Sequence, residues 1–417
     1  MSLPRYPAYK DSGVPWLGHV PEHWAVAPFK RLVEFQNGAD HKPIEVDSGY
    51  PVYGSGGIFA SASEYMHDGE SVLLGRKGTV DRPLYVNGKF WTVDTMYWTQ
   101  IAPDACGKFC YYAATSIPFS YYSTNTALPS MTQGALGAHL MAFPKKGEQA
   151  EIAGFLDRET AKIDALVAEQ ETLLALLAEK RQATISRAVT RGLDPDVPMK
   201  DSGIAWLGDV PAHWRVAPLK HLVSFKSGGT PSKERLDYWG GDVPWASAKD
   251  LKSETLADTT EHLTHAALAE GAATLLQADT ILVVVRGMIL ARTFPVTRAL
   301  VPMAVNQDLK GIRPFPGIDA TFLAWLLRGT AEESLQRLDE AGHGTKALRM
   351  DSWASMEVPI PPEDEQLEIV RFLDYRTSYL DELSGEARSA IDLLKERRSA
   401  LIAAAVTGKI DVRGLAA

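Results

Sequence analysis

Lys10 to Val33 reads KDSGVPWLGHVPEHWAVAPFKRLV, and Lys200 to Val223 reads KDSGIAWLGDVPAHWRVAPLKHLV. Seventeen of these 24 positions are identical, without a gap, at an offset of 190 residues. A second block recurs as well. EQAEIAGFLD at Glu148–Asp157 returns as EQLEIVRFLD at Glu365–Asp374, at an offset of 217. It runs on to Ala188-Val189-Thr190, matched by Ala405-Val406-Thr407. The stretch between the blocks is therefore 27 residues longer in the second copy. There the copies look unrelated, since Glu34 to Ala142 does not align with Ser224 to Pro359. A period this long excludes a solenoid. Plain duplication explains the constant ends. It does not explain why the middles diverge so much more.

Composition excludes several classes. At 417 residues the chain has room for two to four domains. Its 45% hydrophobic and 23% charged residues are those of an ordinary globular protein. No run of about 18 apolar residues predicts a membrane span. MSLPRYPAYKDSG at the start lacks an apolar signal core, so a cytoplasmic setting is expected. Cys106 and Cys110 are too few for a disulfide framework or a four-cysteine zinc site and read as ordinary thiols. The net charge of −9 argues against a uniformly basic nucleic-acid binder. Neither middle rescues that average. Residues 1–143 carry 10 Lys+Arg against 12 Asp+Glu, and residues 200–359 carry 17 against 19. Binding to DNA must then use local cation clusters, share the phosphate load with a partner, or both.

The repeated ends read as long helices. Leu156, Ile163, Leu166, Gln170, Leu173, Leu177 and Thr184 recur with a period near 3.5, as do Leu373, Leu380, Leu383, Ala387, Ala390, Leu394 and Leu401. Charged residues fill the positions between. Pro361-Pro362 followed by Glu363, Asp364 and Glu365 is a helix start, with acids at the positive end of the dipole. The first copy has Lys145-Lys146-Gly147 there and signals its start more weakly. Gly192 and Gly408 read as stops. Helices of about 40 residues span about 60 Å, too long to lie inside a compact domain. Two of them with one seam suggest an antiparallel pair. Surplus apolar residues (Leu174, Leu176, Ile391, Leu393, Ile402) suggest further helices from another chain.

The middles read as mixed α/β with many turns. Tyr50–Phe59 and Glu70–Thr79 look like short strands joined by glycine turns, and Arg76-Lys77 is presented between Gly75 and Gly78. In the second copy Thr280–Val285 reads as a buried strand ending in Arg286-Gly287. Ser227–Lys233, Ala246–Asp250 and Gly342–Lys346 are polar, mostly Gly-bearing loops with one cation each. Gly54–Gly57 lacks the spacing and the strand–turn–helix setting of a nucleotide loop. No Walker A loop, HExxH, zinc quartet or GxSxG elbow is present, nor an Asn/Asp-Pro-Pro-aromatic tetrapeptide. His23 and His213 recur beside Trp24 and Trp214, where packing explains them better than catalysis.

With these residues in hand the chain resembles the specificity subunit of type I restriction–modification systems over nearly its whole length. The resemblance rests on the blocks at 10–24 and 200–214, GSGG at 54–57, LGRKGT at 74–79, YWGGDVPW at 238–245 and PPEDEQ at 361–366. It implies an α+β fold in which two mixed α/β target recognition domains are separated by two long antiparallel conserved helices. The boundaries would be 1–143 for the first recognition domain and 144–192 for the central helical region. The second recognition domain would span 193–359, and the C-terminal helical region 360–417. It also implies that each domain reads one half of a split site in double-stranded DNA while the helices set the unread spacer. Two methyltransferase subunits would dock on the helices and supply S-adenosylmethionine. Motor-nuclease subunits would add ATP- and Mg-dependent translocation and cleavage. The chain itself would be non-catalytic. The competing readings are a coiled-coil scaffold that never touches DNA and a self-contained DNA-modifying enzyme.

Candidate contacts to DNA bases or backbone are Ser55, Arg76, Lys77 and Thr79 in the first domain. In the second they are Thr230, Lys233, Lys249, Arg286, Arg292 and Lys346. Helix pairing and partner docking are expected of Leu156, Ile163, Leu166, Leu173, Leu177, Leu373, Leu380, Leu383, Leu394 and Leu401. No metal site and no catalytic residue are expected.

Overall fold

The computed structural model describes residues 3–119, 130–340 and 344–415. The chain divides into two compact units, Met1–Thr172 with Arg388–Ala417, and Leu173–Ala387. The repeated ends form helices of 46 and 44 residues, Lys146–Arg191 and Glu363–Val406. At 1.5 Å per residue each is roughly 65–70 Å long. Each unit therefore holds one middle segment, the start of one long helix and the end of the other.

In the first unit the opening block folds as a hairpin, Tyr9–Asp11 against His19–Pro21. It buries Leu17, Val20 and Trp24 almost completely. Ala25–Pro28 then pairs with Leu140–Phe143, and Val33–Asn37 enters a seven-stranded sheet. In the second unit Met199–Asp201 pairs with Asp209–Pro211 over buried Trp214, and Arg215–Pro218 pairs with Glu357–Ile360. Val223–Ser227 there enters a five-stranded sheet. The two blocks fold alike because their apolar residues are shared.

The long helices build both cores in the same way. Ile152 and Leu156 lie with Ile402, Ala405 and Val406 in the first core. Ile369 and Leu373 lie with Ile185, Ala188 and Val189 in the second. These are the same positions with the copies exchanged. The weakly signalled first helix starts firmly at Lys146. Its anchor is buried Gln149, which accepts from the Cys106 amide at 2.9 Å and donates to the Pro144 carbonyl at 2.9 Å. Gln366 does the same work in the second helix, through the Asp319 amide and the Pro361 carbonyl.

The middles are less unrelated than their sequences. In the first sheet the order begins Val33–Asn37, Met96–Ile101, His67–Gly75, Leu84–Thr92, Tyr50–Gly54. In the second it runs Val223–Ser227, Leu309–Pro314, Ile281–Val284, Val296–Ala299, Thr255–Leu256. The first four strands are antiparallel neighbours in both sheets. The fifth joins parallel in both. The five-strand frame is thus one frame used twice, and the expectation of unrelated middles is corrected to unrelated loops on a common sheet. Sequence comparison misses it because the frame asks only for apolar strand residues of any kind. The insertions between strands also differ in length.

Candidate nucleic-acid interface

The frame sets where the loops can go. Val33–Asn37 and Val223–Ser227 each run into a glycine, Gly38 and Gly228, again 190 residues apart. A Cβ on Gly38 would collide with the carbonyl oxygens of Thr92 and Val93, and one on Gly228 with those of Val305 and Asn306. Only glycine lets the backbones approach so closely. The turn pinned in this way organises the candidate residues of each unit.

In the first unit the pinned turn is Val93–Thr95. The Arg76 and Lys77 amides donate to the Thr95 carbonyl at 2.8 and 3.2 Å, and the Val93 amide donates to the Tyr53 carbonyl at 3.2 Å. Loops bearing Ser55, Arg76, Lys77 and Thr79 therefore gather on one turn. Arg76 faces partly inward: it lies over the Tyr97 ring at 5.9 Å, and its guanidinium reaches the Asp94 carbonyl at 3.4 Å. Lys77 and Thr79 are exposed, and Ser55 is half-buried in its hairpin turn. Sequence reading passed over Ile58 and Phe59 beside that turn, 62% and 58% exposed, which the flanking glycines could have signalled.

In the second unit the pinned turn is Val305–Asp308. It accepts from the Gly229 amide at 2.9 Å and the Val285 amide at 2.8 Å, and it donates to the Ala246 carbonyl at 2.9 Å. Loops bearing Thr230, Lys249 and Arg286 meet there. Lys346 joins them because Lys346–Leu348 pairs with Arg286–Gly287. The Thr230 hydroxyl is hydrogen-bonded to Gln307. Lys346 is paired with Glu340 at 2.7 Å, and Lys233 with Glu261 at 3.2 Å while it lies over Trp239. Lys233 belongs to a smaller apolar cluster around Trp239 and Trp245, away from the pinned turn. Arg292 closes the short 3-10 turn Met288–Ala291, whose Met288 is 70% exposed. Lys249, Arg286 and Arg292 have no ion pair among the described residues. Gly342 and His343 of the expected fourth loop lie outside the described residues.

The helix positions separate into two kinds. Leu156, Ile163, Leu177, Leu373 and Leu380 are buried, and Leu383, Leu394 and Leu401 are half-buried. Leu166 and Leu173 are exposed, and so are Leu176 at 57% and its counterpart Leu393 at 65%. One apolar face of each helix is thus spent inside its unit and another is open. A polar-lined cavity of about 910 Å³ lies in the second unit at the end of Lys146–Arg191, bordered by Arg187, Arg191, Trp206 and Glu333.

His23 and His213 have structural partners. Glu148 accepts from Trp24 Nε1 at 3.0 Å and from Tyr6 Oη at 2.8 Å, and it faces His23 Nε2 at 2.8 Å. Glu365 accepts from Trp214 Nε1 at 2.9 Å and faces His213 Nε2 at 2.8 Å. Burial raises the Cys110 thiol well above its ordinary value, which leaves it a poor nucleophile. Among the described residues no group of three or more His, Cys, Asp and Glu could hold a metal ion, and no helix is long and apolar enough to cross a membrane.

Comparison with known proteins agrees with this geometry. Residues 211–391 match the family model described as the type I restriction modification DNA specificity domain. The specificity subunit of the type I restriction enzyme EcoR124I/EcoR124II of Escherichia coli is 28% identical over 228 residues, 54% of this chain. The match spans about half, 51%, of that relative's length. Among solved structures, a chain from work on complex assembly and conformational transition of the type I R-M system aligns with a TM-score of 0.67 at 15% identity. It covers 93% of this chain and 98% of that one. The HsdS subunit from Thermoanaerobacter tengcongensis aligns with a TM-score of 0.51 at 13% identity, over 94% and 98%.

Proposed function

From its membership of the type I restriction–modification specificity-subunit family, we infer that this chain reads a DNA site in two halves for catalytic subunits that it does not contain. The carrying observation is the frame used twice with different loops. A half-site reader needs a fixed scaffold to present loops and different loops to select different bases. Residues 1–143 and 193–359 are the two readers in this proposal, and 144–192 with 360–417 the helical regions between them. The helices set the spacer and dock two methyltransferase subunits on the open face that includes Leu176 and Leu393. S-adenosylmethionine would bind those subunits, and ATP with Mg the motor-nuclease subunits. The chain would act in the cytoplasm and perform no catalysis itself. Its acidity fits this division of labour, because partner subunits can carry much of the phosphate contact.

The test is reconstitution with the cognate methyltransferase subunits, followed by mapping of the methylated adenines. We expect one split motif with a spacer of constant length. A contiguous motif would reject the two-reader scheme. Methyl transfer by the chain alone would favour a self-contained enzyme, and no DNA binding by the complex would favour a scaffold.

A further inference from the structure

Strand pairing aligns two residues whose sequences do not. Gly75 is opposite Met96 in the first sheet, and Val284 is opposite Leu309 in the second. Two residues beyond Gly75 stands Lys77, and two beyond Val284 stands Arg286. The Lys77 amide donates to Thr95 and the Arg286 amide to Asp308, the residue before the matching strand in each case. Lys77 then bridges to Ser130, and Arg286 pairs with Ala347. The two cations occupy one topological position. Each is exposed, each is followed by a glycine, and neither has an ion pair among the described residues. The residues around them are not kept. Half-buried Arg76 has Val285 as its counterpart, and Ser130 has Ala347.

We propose that Lys77 and Arg286 are equivalent phosphate clamps, one per half-site, that hold the DNA backbone and select no base. This rests on the reading of the chain as a two-part DNA reader. Two half-sites of different sequence share only their sugar–phosphate backbone, so a charge held at one position through diverged loops fits that shared feature. Base selection then falls to positions that differ between the units, Ser55 and Thr230 among them. A phosphate accepts Lys or Arg, whereas bidentate reading of guanine requires the Arg fork.

The experiment uses the full chain with its methyltransferase subunits. Affinity is measured against salt for the methylated site and for a scrambled duplex. Lys77→Gln and Arg286→Gln should each weaken both duplexes by the same factor, about 3- to 10-fold, and lower the salt slope by about 0.9. The methylated motif should not change, and Arg286→Lys should retain wild-type binding. A loss confined to the specific site, a relaxed base in one half-motif, failure of Arg286→Lys, or an unchanged salt slope would overturn the clamp. If the wild-type complex does not distinguish the two duplexes, the two-reader proposal itself fails, which is a separate outcome. Unchanged melting temperatures show that the exposed substitutions left the fold intact.

Discussion

Arg398 donates to Asp164 through Nε at 2.8 Å and Nη2 at 3.3 Å, joining the end of the second long helix to the first part of the first. In the other unit Arg181 donates to Asp381 through Nε at 3.1 Å. Asp381 is Asp164 moved by the 217-residue offset, and Arg398 is Arg181 moved by the same step. The residue numbers of each pair add to 562, as antiparallel segments in one register require. Each unit therefore makes the same contact with the copies' roles exchanged.

Both aspartates are more than half exposed, so solvent screens these pairs. A double-mutant cycle on Asp164→Ala and Arg398→Ala should give a coupling of only about 0.2–1 kcal/mol, falling with added salt. Arg181 also pairs with Glu254, and Arg181→Ala should therefore cost more than Arg398→Ala. Equal losses in urea denaturation would count against the Glu254 contact.

Glu148 and Glu365 tie the repeated blocks to the long helices. Replacing Glu148 by Ala strands the indole N–H of a fully buried Trp24 and removes the acceptor of Tyr6. The expected cost is about 2–4 kcal/mol. Glu365→Ala removes fewer donors' acceptor and should cost less. Chemical denaturation of both variants reads the ranking; a reversed order would refute this assignment.

Gly408 ends the second long helix at φ +71°, and a Cβ there would run into Pro21 and approach the Trp24 ring. Gly408→Ala should cost about 2–4 kcal/mol from left-handed strain and crowding together. Gly414 has φ +76° with open space around it, so Gly414→Ala should lose only about 1–2 kcal/mol. Similar losses at the two sites would show that crowding at Pro21 contributes nothing.

Leu176→Asp and Leu393→Asp test the open helix face. Both side chains are exposed, so the isolated chain should keep its stability within about 0.5 kcal/mol. Association with the methyltransferase subunits should weaken by roughly tenfold or more for each variant. Unaltered association in titration calorimetry would move the docking surface elsewhere on the chain.

The helices, their stops and the hairpin blocks were legible because their signals are local: heptad spacing, Pro–acid starts and repeated tryptophans. So was the turn carrying Arg76 and Lys77. The shared five-strand frame was not legible, because it depends on pairings such as Gly75 with Met96 that leave no residue identity behind. Its one sequence trace, Gly38 over Gly228, lies just past the end of the first repeated block. Nor could sequence distinguish inward Arg76 from outward Lys77, which differ by a single step along the turn. The same holds for the helices, where periodicity predicted Leu166 and Leu173 as seam positions although both are exposed.

The central claim is that each divergent middle reads its own half of the site. Exchange of residues 224–359 for the matching segment of a relative, with the methylated adenines then mapped in cells that supply the methyltransferase partners, tests it most directly. The prediction is a motif in which one half is replaced, the other half is retained and the spacer keeps its length. An unchanged motif, or one altered in both halves, would contradict it.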